Sequence, residues 1–350
     1  MELEELVALS VKHNAADLHL CSGDSPRWRR HGRLERIPHL APLTADWLAR
    51  AAGRYLDARQ REELAAQGQT DFAFSLADGQ RLRASLFRQR QGLSLALRTL
   101  ATRCPTLESL RLPPVVPCWL RLEDGLILVT GATGSGKSTT LAAMVDAINR
   151  QQAKHIITLE DPIEFIHQSQ RSLIQQREIG AHCASFSLGL RAALREDPDV
   201  ILLGELRDSD TIRQALTAAE TGHLVLATLH TRGAAQAIDR LVDVFPAEEK
   251  NLVRAQLAGS LKAVIAQKLA AARDGGRIGL FEVLVATPAV ANLIRDGKMH
   301  QIGALLQTGA QAGMQTFAQS LLARQREGLI AAEPGECCAE VSGFRTSPAE

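Results

Sequence analysis

Aromatic residues are scarce in this chain: nine Phe, three Trp and one Tyr make up 4% of its 350 residues. A groove that stacks single-stranded bases needs more of them, interleaved with basic side chains. An excess of charge is also missing, because 40 Lys and Arg stand against 39 Asp and Glu, for a formal net charge of +1. No direct nucleic-acid partner is therefore expected. The longest apolar runs, at 125–129 and 200–203, fall far short of the ~20 residues that cross a bilayer. The opening Met1-Glu2-Leu3-Glu4-Glu5 is acidic where a secretory signal would be basic, so a cytoplasmic location is expected. None of the six cysteines (Cys21, Cys104, Cys118, Cys183, Cys337, Cys338) belongs to a C-x-x-C pair. Reduced thiols are expected, with neither a disulfide framework nor zinc.

At roughly 150 residues per domain, the length suits two folded units. An amphipathic helix is expected over 3–12, then a strand at Asp17-Leu18-His19-Leu20. Alternating strands at 70–75, 81–87 and 93–97, with an Asp78-Gly79 turn, complete a small α+β domain over 1–100. Pro105, Pro113, Pro114 and Pro117 crowd a connector at 101–117. Over 118–330 short apolar strands (126–130, 156–159, 200–203, 224–229) alternate with helical stretches (139–149, 186–194, 211–220). That order predicts an α/β domain with a parallel, doubly wound sheet. Beyond Phe245 the pattern reads as mostly helical, with one long helix over 248–268. The last residues, 331–350, are rich in Pro, Gly, Glu and Ser without apolar period and are expected to be a disordered tail.

The segment Gly131-Ala132-Thr133-Gly134-Ser135-Gly136-Lys137-Ser138 fits G-x-x-x-x-G-K-[ST] and stands between a predicted strand and a helix starting at Thr139. Such a loop turns its backbone N–H groups inward around phosphates; Lys137 reaches the outer phosphates of ATP and Ser138 holds Mg2+. A second strand ends in Gly204-Glu205, where a carboxylate can orient or deprotonate the water that attacks the γ-phosphate. Gly204 occupies the position where such a Glu often follows an Asp, so another group must support the metal. Glu160-Asp161-Pro162-Ile163-Glu164 offers three carboxylates whose repulsion a cation or a nearby arginine would relieve. A third strand is bracketed by His223 and His230, and His230 with Thr231 lies at its outgoing end, suited to sensing the γ-phosphate.

Taken in order, the segments 131–139, 160–164, 197–208 and 221–231 resemble the Walker A, Asp box, Walker B and His box of the secretion ATPases. Ala289-Val290-Ala291-Asn292-Leu293-Ile294-Arg295-Asp296-Gly297-Lys298 is similar to the AIRNLIREGK motif of the type IV pilus retraction (twitching motility) branch, with Ala291 for an arginine and Asp296 for a glutamate. The resemblance implies a PAS-like N-terminal domain joined to a RecA-like ATPase domain with a helical C-terminal part. It further implies a homohexamer that engages an inner-membrane pilus platform protein peripherally and transiently. Glu164, Glu205 and His230 match the family's catalytic residues, with Glu164 a further candidate for Mg2+. Arg83 and Arg98 resemble the arginines that reach nucleotide phosphates. An ATP-driven motor is the leading reading; a DNA or RNA translocase and a non-hydrolysing nucleotide-dependent regulator remain open.

Overall fold

The computed structural model describes residues 1–30, 32–100 and 103–331. The expected tail, apart from Ala331, therefore lies outside the described residues, as do Cys337 and Cys338. The chain divides into two compact units. One comprises Met1–Cys104 with Glu160–Gln168 and Gln176–Ala184; the other comprises Pro105–Leu159, Ser169–Gln175 and the residues from Ser185 on. No helix of the described residues is long and apolar enough to cross a membrane.

In the first unit the elements run α1 (Leu3–Lys12), β1 (Asp17–Cys21), β2 (Arg27–Arg30), β3 (Arg33–Arg36), α2 (Ala45–Gly53), α3 (Ala58–Gln67), β4 (Gln69–Ser75), β5 (Arg81–Gln89) and β6 (Gly92–Thr99). Leu3, Leu6, Val7 and Ser10 are the buried residues of α1, the stripe that a 3.6-residue period presents to a core. The six strands form one antiparallel sheet, ordered β3-β2-β1-β6-β5-β4. Leu82, Ala84 and Leu86 of β5 point into the core with Leu18, Leu20 and Leu97, which leaves Arg83 and Arg98 on the opposite face.

The second unit begins with α4 (Val116–Trp119) and β7 (Gly125–Thr130), then α5 (Lys137–Gln151). Along the chain follow β8 (His155–Glu160) and β9 (Leu173–Glu178), whose residues Glu160 and 176–178 are counted with the first unit, then α6 (Phe186–Ala193), β10 (Val200–Leu203), α7 (Ser209–Glu220), β11 (Leu224–Leu229) and α8 (Ala234–Asp243). The last elements are α9 (Lys250–Ser260), β12 (Leu261–Ala271), β13 (Arg277–Val285), α10 (Pro288–Arg295), α11 (Ile302–Thr308) and α12 (Phe317–Arg326). The sheet order is β13-β12-β7-β11-β10-β8-β9, parallel from β12 to β8. Every residue of β7, β10 and β11 is buried, as expected of parallel strands covered on both faces.

The structure overturns one expectation outright. The long helix over 248–268 ends at Ser260, and Leu261–Ala271 is β12, which pairs in parallel with β7 and antiparallel with β13. Ala263, Val264, Ile265 and Ala266 are all fully buried, and a continuous apolar run fits a central strand and a buried helix equally well. The region beyond Phe245 keeps its helices α9, α10, α11 and α12 but also contains the antiparallel pair β12 and β13.

Phe281 of β13 is 1% exposed within the core of the second unit. Phe281→Ala should destabilise that unit by about 3–5 kcal/mol, read as a lower midpoint for its transition in urea.

Candidate nucleotide site

The fold brings three chain segments to the carboxyl edge of the parallel strands. β7 runs out into the glycine-rich loop at Gly131, whose φ is 154° and where an added Cβ would stand 2.4 Å from the main-chain oxygen of Gln267. Gly136, at φ 92°, is the left-handed N-cap of α5. Ala132, Thr133, Gly134 and Ser138 are exposed, whereas Ser135 and Lys137 are buried. Lys137 Nζ donates to the carbonyls of Gly131 (2.9 Å) and Ala132 (3.1 Å). The N–H groups of Lys137, Ser138 and Thr139 belong to the first turn of α5, where no intrahelical acceptor exists, so they can bind an anion. An exposed Ser138 hydroxyl at the same turn fits a Mg2+ ligand.

His230 follows β11. Its Nδ1 lies 3.4 Å from Lys137 Nζ and its Nε2 lies 3.5 Å from Glu205 Oε2. With the ammonium donating to Nδ1, the imidazole carries its proton on Nε2 and can give it to Glu205. Burial, followed by the positive charge of Lys137, lowers the His230 pKa below its ordinary value, with Glu205 opposing. The other Glu205 oxygen pairs with Arg207, and the carboxylate is only 12% exposed. An open cleft of ≈ 520 Å³ is lined by Glu205, Arg207, His230 and Arg240 among others.

The strand carrying Glu205 is not the immediate neighbour of the strand that leads into the loop. β11 lies between β7 and β10, and His230 at its end bridges Lys137 and Glu205. His223 stands at the opposite end of β11, where Nδ1 bonds to the Ala218 carbonyl of α7 at 3.1 Å, a structural contact.

Glu164 and the arginines group with the first unit. Arg83 and Arg98 are direct cross-strand partners on β5 and β6, two like charges side by side. Asp17 offsets the charge of Arg98 and of Arg29: its Oδ1 lies 2.7 Å from Arg98 Nε, and its Oδ2 lies 3.9 Å from Arg29 Nε. The Arg98 pKa is raised above its ordinary value, first by that hydrogen bond, with a smaller contribution from Glu164. The acidic box thus has an arginine beside it. Its loop is also tied down by Glu178, which accepts from Ile163 N at 3.1 Å and stands 4.0 Å from Arg81.

Sequence reasoning missed several residues that shape the site. The buried hydroxyl of Thr130 donates to the Thr231 carbonyl (2.8 Å), accepts from Thr231 N (3.0 Å) and lies 2.6 Å from Thr231 Oγ1. The Thr228 hydroxyl donates to the Gly204 carbonyl, and Leu206 N donates to the Thr228 carbonyl (3.0 Å), which fixes the Glu205 turn against β11. Glu282 of β13 accepts from Ala234 N, the first residue of α8, at 2.9 Å. Gln267 of β12 bonds to the loop and to α5. Thr130 and Thr228 stand out locally as polar residues on otherwise apolar strands; nothing local marks the others.

The family described as type II/IV secretion system protein matches residues 82–275. The uncharacterized protein YggR of Escherichia coli (strain K12) is 63% identical over 94% of this chain and 100% of its own. The type IV pilus retractation ATPase PilT of Pseudomonas aeruginosa is 46% identical over 95% of this chain and 96% of its own. Among solved structures, the pilus retraction motor PilT with bound ADP superposes with a TM-score of 0.89, at 40% identity and with 98% of each chain covered. Sequence, fold and the loop at the end of β7 agree, and the chain belongs to the type II/IV secretion ATPase family.

Proposed function

We propose that this chain is the subunit of a homohexameric motor that hydrolyses ATP to drive pilus retraction or a related pilus or secretion movement. The observation that carries the reading is the line from Lys137 through His230 to Glu205 at the mouth of the glycine-rich loop. Relatives described as a retractation ATPase and as a retraction motor support the direction of work. We place it in the cytoplasm, engaging an inner-membrane platform protein peripherally and transiently. The first unit is read as PAS-like over 1–100, followed by a connector at 101–117 and the ATPase domain at 118–330.

The loop from Gly131 to Thr139 holds the phosphates, with Lys137 exchanging its bonds to the Gly131 and Ala132 carbonyls for phosphate oxygens. Mg2+, when bound, neutralises phosphate charge; Ser138 would hold it, with Glu164 as the second candidate. Glu205 takes a proton from the attacking water as the oxygen bonds to the γ-phosphorus and the bond to the bridging oxygen breaks, leaving ADP and phosphate. His230 orients that water and keeps Glu205 in register. Arg83 and Arg98 are assigned to the nucleotide phosphates, where a guanidinium stabilises transferred charge.

Lys137→Ala should abolish phosphate release by the purified protein, whereas Glu205→Gln should keep ATP binding and slow turnover by about two to four orders of magnitude. Wild-type turnover in the lysine variant would remove the loop from the mechanism. Because the His230 pKa is lowered from 6.5, the imidazole stays neutral as pH falls past that value, and the unfolded chain then binds the proton that the folded one refuses. Stability should therefore decline below about pH 6.5, and the acid limb of the ATPase profile should appear only at the lower pH where folded His230 titrates. His230→Gln should lose that limb in a rate-versus-pH series. Mass photometry with ATP and Mg2+ should show hexamers; monomers alone would refute the ring.

A further inference from the structure

We propose that Gln267 is a positioning residue that sets the conformation of the phosphate loop and thereby the affinity for ATP. The inference rests on the reading of that loop as the ATP site. Gln267 is 4% exposed, and both ends of its amide are engaged by the site. Its Oε1 accepts from the Thr140 hydroxyl of α5 at 2.7 Å, and its Nε2 donates to the Ser135 carbonyl of the loop at 2.7 Å. The same residue bounds the loop at two glycines: a Cβ on Gly131 would stand 2.4 Å from its main-chain oxygen, and one on Gly136 would stand 2.8 Å from Nε2.

These contacts act on the donors that hold phosphate. The Ser135 carbonyl and the Gly136 N–H belong to one planar trans peptide, so they point in opposite directions. A carbonyl drawn to Gln267 turns the Gly136 N–H away from β12. Thr140 meanwhile fixes the first turn of α5, which presents the Lys137, Ser138 and Thr139 N–H groups. The uncharged amide supplies a donor and an acceptor here at once; an ionised carboxylate would face the Ser135 carbonyl with no proton to share.

Steady-state ATPase kinetics and thermal melting of the full chain test this with Gln267→Leu, Gln267→Glu, Thr140→Val and Lys137→Ala. Gln267→Leu should raise KM for ATP about tenfold, the equivalent of ~1.4 kcal/mol, while kcat stays within about threefold, because a binding contribution common to ground and transition states is lost. Thr140→Val, which keeps the Ser135 bond, should show a smaller rise. At neutral pH Gln267→Glu should behave like the Leu variant. Its KM relative to wild type should then fall as pH drops towards ~5, because a buried carboxyl regains a proton and with it a donor. A structural role alone would lower kcat through loss of folded protein and leave KM unmoved, and that result in both Gln267 variants overturns the proposal. If the Leu variant does not fold, the pH-dependent KM ratio of the Glu variant decides: recovery supports the proposal and a flat ratio overturns it. An inactive Lys137→Ala beside wild-type KM in the Gln267 variants overturns the Gln267 assignment alone. An active Lys137→Ala overturns the ATP-site reading and this inference with it.

Discussion

A polar group buried between two parallel strands must find a partner there or cost about 1–3 kcal/mol, and at the carboxyl edge of this sheet that demand decides where the functional loops go. The Thr130 hydroxyl has no access to water and takes its partners from Thr231 on the outgoing end of β11. The start of the phosphate loop and the segment that carries His230 are thereby stapled together. The Thr228 hydroxyl repeats the device one strand over, joining β11 to the Gly204 carbonyl that precedes Glu205. Two threonine hydroxyls, both on strands that are otherwise apolar, thus register three loops against each other before any ligand enters.

The sequence made the loop itself legible, because its glycines, Lys137 and Ser138 lie within one short run whose chemistry is local. The same holds for β7, β10 and β11, whose apolar runs are bounded by turn residues. What it concealed depends on pairing across long separations. The β12 and β13 hairpin looked helical because Ala263 to Ala266 are buried on both faces and so carry no period of two. That error hid Gln267, which only a strand next to β7 can bring to Ser135. In the first unit β3 went unseen because all four of its residues are exposed, and α3 because Gln60 is its single buried residue. The position of β11 between β7 and β10 is likewise a fact of sheet order, which no local pattern encodes.

The first unit shows how like charges are held close without a ligand. Arg83 and Arg98 face each other across two strands, and the carboxylate paired with Arg98 comes from Asp17, the first residue of β1. Asp17 binds Arg98 through Nε, and the Arg98 side chain remains 64% exposed. His19, two residues on and on the same face, has its pKa lowered by burial, so it adds little positive charge to an already basic surface.

The hairpin of β12 and β13 has contacts at both of its margins. Towards the sheet edge, Gln267 reaches the phosphate loop and Glu282 reaches the start of α8, just beyond His230. Towards the C-terminal helices, Phe281 N donates to Ser320 Oγ of α12 at 3.1 Å, and the Lys268 ammonium sits 4.4 Å from the centre of the Phe317 ring. Four neighbouring residues of one strand pair, Gln267 and Lys268 on β12 and Phe281 and Glu282 on β13, therefore carry the four links, with Gln267 directly opposite Phe281. Strands in register are stiff along their length, so α12, the glycine-rich loop and the start of α8 form one short load path. A force applied to that helix would arrive at the phosphate loop and at the base of the histidine segment together, with little compliance between them.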